Sequence, residues 1–87
     1  MDAIYDRAVG ILWAFYQNRE DGTPQTVAIA LGKDAEDPIF RMDVKKFYEV
    51  GAIELVDMAE YGYVGPSEAY RVTPEGEQRL REQGYPL

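Results

Sequence analysis

The chain has 87 residues, enough for one small domain and no second one, and its 46% hydrophobic and 13% aromatic content can supply a packed core. Sixteen acidic residues against nine basic ones give a net charge of -7. That balance argues against broad electrostatic coating of a polyanion or an anionic membrane, so any nucleic acid must meet a local basic patch. Cysteine and histidine are absent, which removes disulfides, thiolate chemistry, zinc fingers and histidine acid-base catalysis.

The amino-terminal stretch lacks a basic segment followed by a long apolar run, and nowhere do about 18 apolar residues run together as a spanning helix needs. The expectation is a cytoplasmic protein without a membrane segment. From Ala3 to about Asn18, Ile4, Ala8, Ile11, Leu12 and Phe15 recur at the spacing of one helical face. Tyr5, Val9, Trp13 and Tyr16 form a second apolar stripe beside it. This arc is wider than one small core requires, which leaves two readings open: Trp13 and the tyrosines cap the core edge, or they form a dimer contact.

Thr23-Pro24 reads as an N-cap followed by proline at the first helical position, predicting a short helix that stops at Gly32. Asp37-Pro38 repeats the signature and opens a third helix with Phe40, Val44, Phe47 and Val50 inward and Gly51 as its end. Its other faces carry Arg41, Met42, Asp43, Lys45, Lys46, Tyr48 and Glu49. Between Ile39 and Val50 three basic residues oppose two acidic ones, making this the least acidic exposed element.

Beyond Gly51 the pattern becomes extended. Residues 52–58 and 69–73 read as two strands, joined by a Gly- and Pro-bearing loop that predicts an antiparallel hairpin. Thr73-Pro74 opens a last short helix anchored by Leu80 and stopped by Gly84. The fold class expected is α+β, with three helices, a two-stranded antiparallel hairpin and a short carboxy-terminal helix.

Three pieces carry a family resemblance: Val27 to Gly32, Phe47-Tyr48-Glu49-Val50-Gly51-Ala52-Ile53, and Tyr70-Arg71-Val72-Thr73-Pro74-Glu75-Gly76. In this order and spacing the chain resembles the winged helix-turn-helix family, in the style of small prokaryotic and viral regulators of the MarR and PadR kind, over roughly Ile4 to Leu80. The resemblance implies double-stranded DNA as partner, transcription regulation as function, a homodimer, and the third helix as the element entering the major groove. It places Arg41, Met42, Lys45, Lys46, Tyr48 and Arg71 toward DNA. The dimer interface would draw on Tyr5, Trp13, Tyr16 and Tyr85, although Tyr85-Pro86-Leu87 reads equally as a frayed tail.

Arg41 suits bidentate recognition of guanine, and Lys45 and Lys46 suit phosphates. The same residues also read as a solvated helix face making weak surface pairs. From residue 52 to residue 69 the charges are Glu54, Asp57, Glu60 and Glu68 with no Lys or Arg, which departs from the basic wings of the family. The runner-up function is therefore a protein-interaction module using an acidic wing that bears Tyr61 and Tyr63. A salt-adapted regulator is a third reading of the same acidity. Catalysis is not expected, because Ser67, the only serine, has no histidine to activate it and the carboxylates are dispersed. Neither a cofactor nor a metal is expected.

Overall fold

The computed structural model describes residues 3–19, 22–56 and 68–87. In chain order they form α1 (Ile4–Arg7), α2 (Val9–Gln17), α3 (Pro24–Ala30), α4 (Pro38–Glu49), β1 (Ile53–Leu55), β2 (Tyr70–Val72) and α5 (Pro74–Glu82). The class is α+β, and the element order is compatible with the winged-helix expectation. The hairpin loop, with Tyr61, Tyr63 and Ser67, lies outside the described residues.

The three cap-and-proline starts form as the sequence predicts. Thr23 accepts from the Thr26 amide, Asp37 from the Ile39 amide and Thr73 from the Gly76 amide, and Pro24, Pro38 and Pro74 each open a helix. The stops also form. At the end of α4 the Gly51 amide bonds the Tyr48 carbonyl and the Ala52 amide bonds the Phe47 carbonyl. That pairing needs a left-handed residue, and Gly51 supplies it at φ +81°.

The first helix differs from expectation. It is not continuous from Ala3 to Asn18 but breaks at Ala8, whose φ of -132° and ψ of 21° leave the helical region. In the first turn Ile4 and Tyr5 are both buried, and Gly10 just beyond the break weakens propagation across the joint.

Antiparallel pairing sets Ile53 opposite Val72, Glu54 opposite Arg71 and Leu55 opposite Tyr70. Both strands are shorter than the extended stretches in the sequence. The core gathers Leu12 and Phe15 from α2, Val27 from α3, Phe47 from α4, Ile53 from β1 and Leu80 from α5, all fully buried. Complete burial of side chains of this size stabilises by about 1.5–3 kcal/mol each relative to exposure.

Two glycines work by close approach. A Cβ on Gly22 would run into the Tyr70 carbonyl, and one on Gly76 into the Ala52 carbonyl. Gly22 thereby lets the chain entering α3 lie against β2, where the Tyr70 amide donates to the Gly22 carbonyl at 2.8 Å.

Candidate functional site

The site begins with the two-sided character of α4. Phe40, Val44 and Phe47 seal one side against the core, while Met42, Lys45 and Glu49 point to solvent and Ile39 lies exposed near the helix start. Met42 is 69% exposed, a high value for an apolar side chain on a helix that otherwise anchors the core. Lys45 has no ion-pair or hydrogen-bond partner among the described residues. Lys46 sits one step round the helix and is half-buried.

Between α1 and α4 runs an open groove of about 380 Å³, lined by Ala3, Ile4, Arg7, Met42, Asp43, Lys45, Lys46 and Glu49. Arg7 enters it from the last turn of α1, just before the break at Ala8. Its guanidinium lies 2.7 Å from the Asp43 carboxylate. Asp43 is only 6% exposed and is the one buried charged residue among those described. The sequence reading placed Asp43 on an outer face of the helix. Its burial follows from Arg7, which supplies the counter-charge that burial demands.

Arg41 occupies the other flank of α4, and it is engaged. Its Nη1 donates to Glu68 at 2.8 Å and its Nη2 to Glu36 at 3.2 Å. The Tyr70 hydroxyl donates to the second oxygen of Glu68, and the Tyr48 and Tyr70 rings meet edge-on at 6.0 Å. The Glu68 hydrogen bond raises the Arg41 pKa above its ordinary value against partial desolvation, with Glu36 acting in the same direction. Burial, then the Glu68 carboxylate, pushes the Tyr70 hydroxyl well above the usual tyrosine range.

Arg71 is not gathered with the α4 residues. It pairs with Glu54 across the strands at 2.6 Å and opens on a separate hollow of about 220 Å³ with Tyr16, Arg19, Val72 and Glu77. Every arginine of the chain has an internal partner. Arg7, Arg41 and Arg71 are joined by Arg79 with Glu75 and Glu82, by Arg81 with Glu77, and by Arg19 over the Tyr16 ring. On the α4 surface the exposed lysine is Lys45, with Lys46 half-buried beside it.

The residues expected at a dimer contact separate into two groups. Tyr5 is 4% exposed and packs edge-on against Phe47 at 5.9 Å, so it belongs to the core of its own chain and not to an interface. Trp13 stacks on Tyr16 at 5.5 Å and meets Tyr85 at 5.0 Å, forming one half-buried aromatic cluster. Tyr85 is thereby held at the core edge and is not frayed.

No helix among the described residues is long and apolar enough to cross a membrane. Chemically, the α4 surface offers two lysines and a flexible thioether along the groove, with the engaged Arg41 on the opposite flank of the helix. Comparison with known protein families, curated proteins and solved structures finds no match to this chain.

Proposed function

We propose that this chain is a winged helix-turn-helix protein that binds double-stranded DNA through α4 and regulates transcription as a homodimer. The observation that carries the reading is the solvent-facing side of α4, where Met42 and Lys45 are exposed and half-buried Lys46 lies beside them along the groove, in a chain whose net charge is -7. A cationic helix face left open in an acidic molecule is where a polyanion can approach. Lys45 and Lys46 contact phosphates, and Met42 offers apolar contact to a thymine methyl group. A two-fold axis would set two copies of α4 in grooves about one helical turn apart. The half-buried Trp13, Tyr16 and Tyr85 cluster is the remaining candidate for that axis.

The test is Lys45→Gln with Lys46→Gln, titrated against a labelled mixed-sequence duplex. Loss of two phosphate contacts lowers the slope of log affinity against log salt by about 1.8. An unchanged affinity and slope would remove α4 from the DNA contact.

A second reading has its own support. Ile29 on α3 is 79% exposed, and Ile39 on α4 and Leu55 on β1 are also exposed, apolar surface of the kind that protein partners cover. Retention of a protein partner that is lost on Ile29→Asp or Ile39→Asp, with no duplex bound, would favour a protein-interaction module.

A further inference from the structure

We infer that Glu68 and Glu36 form an intramolecular clamp that competes with DNA for the Arg41 guanidinium, so that Glu68 sets the threshold at which α4 binds. The inference rests on the reading of α4 as the DNA-contacting helix and assigns that helix a restraint built into its own chain.

The geometry has three parts. Glu68 and Glu36 each take one terminal nitrogen of Arg41, at 2.8 and 3.2 Å. Guanine or phosphate recognition by arginine uses a pair of those same donors, so the carboxylates stand where an anionic or acceptor-rich ligand would bind. The Tyr70 hydroxyl, held at the start of β2, donates to Glu68 and fixes the carboxylate that faces α4.

A purely structural strut would be built differently. The Arg41 side chain is 32% exposed, Glu68 43% and Glu36 78%. Ion pairs this open to water add little stability because solvent screens them and competes for their donors. The buried Arg7–Asp43 pair on the same helix shows the contrasting case, with its carboxylate shut away from water. The clamp on Arg41 therefore exchanges easily. A bidentate contact to guanine, made in the drier space of a groove, can replace it. The link between residue 41 and residue 68 also couples the reading helix to the strand that follows the hairpin loop.

Fluorescence anisotropy of a labelled mixed-sequence duplex, across a salt series, compares the full-length wild type with Glu68→Gln, Arg41→Ala and the double variant. Circular dichroism checks that each is folded. Glu68→Gln keeps a hydrogen-bonding group for Tyr70 and removes the charge. The expected result is affinity tighter by roughly tenfold, with a log-log salt slope steeper by about 0.9 where the released Arg41 takes a phosphate and unchanged where it takes a guanine edge. In the Arg41→Ala background the same change gives no gain, because the competed cation is gone. Glu36→Gln, altering a side chain mostly in water, is the second variant and decides the matter if Glu68→Gln does not fold; it is expected to tighten binding less.

Wild type that binds while Glu68→Gln binds equally or more weakly overturns the clamp and leaves the DNA reading standing. An equal gain in the Arg41→Ala background also overturns it, since the effect is then general charge removal. Binding by Glu68→Gln where wild type shows none supports the clamp. Absence of binding by every folded variant at every salt overturns the DNA reading and the clamp with it.

Discussion

Arg7 and Asp43 face each other at 2.7 Å, and this pair ties the short helix α1 to the middle of α4. Arg7 stands at the end of α1, just before the break at Ala8, and the pair neutralises the one buried carboxylate among the described residues, behind the surface that carries Met42, Lys45 and Lys46. The seating of α4 thus draws on a residue far away in sequence, at the end of α1.

Arg7→Ala is expected to destabilise the fold by about 1–3 kcal/mol. The value lies between that of a surface pair and a fully buried one, because the arginine is largely exposed while the carboxylate it leaves behind is not. Asp43→Asn, which removes the buried charge and keeps an acceptor for Arg7, is expected to cost less. Chemical denaturation of both variants checks the order, and equal costs would mean that the buried charge is not what matters.

Gly76→Ala separates local propensity from packing. At an open helical site the change would stabilise by about 0.8–1 kcal/mol. Here the added carbon meets the backbone carbonyl of Ala52, which cannot swing aside as a flexible side chain can. Net destabilisation is expected, read as a lower melting temperature; a rise would show that α5 can shift away from β1 without loss.

Much of this architecture can be read directly from the residues. Thr23-Pro24, Asp37-Pro38 and Thr73-Pro74 are local signals, each held within a few residues, and all three produce the helix starts they imply. The inward positions Ile11, Phe15, Phe40, Phe47 and Leu80 follow from helical spacing and are buried. What local pattern does not carry is the pairing of distant residues. Asp43 looks like a surface residue until Arg7 is placed beside it, and Arg41 looks like a free cation until Glu68, 27 positions later, is brought alongside. Nothing local to Gly22 or Gly76 announces their role, because the carbonyls they admit, of Tyr70 and Ala52, belong to residues distant in sequence. For Tyr5 the helical stripe is visible, but its contact with Phe47, far along the chain, is not.

Tyr5→Ala tests that placement. With the ring buried against Phe47, its removal is expected to cost about 2–4 kcal/mol, in the range of large-to-small core substitutions. Sedimentation of the folded variant is expected to show the same association state as wild type. A variant of unchanged stability but altered association would return Tyr5 to an interface.

Tyr70 contributes a pH-dependent share of stability on the alkaline side. Its pKa is raised above the ordinary value of 10.0, chiefly by burial and next by Glu68. The folded chain therefore holds the phenolic proton more tightly than the unfolded chain does. The stability this confers is complete below about pH 10 and is lost as pH climbs from there toward the folded pKa. Spectrophotometric titration of the tyrosines is expected to show one late component that disappears in Tyr70→Phe. A titration of wild type and Tyr70→Phe differing only by one ordinary tyrosine would contradict the shift.

The measurement that bears most directly on α4 as a DNA-binding surface is the wild-type chain titrated into a labelled mixed-sequence duplex over a salt series, with circular dichroism confirming the fold at each salt. Binding that weakens linearly in log salt, as counterion release by Lys45, Lys46 and their neighbours requires, is the predicted result; a folded protein that binds no duplex at any salt would contradict it.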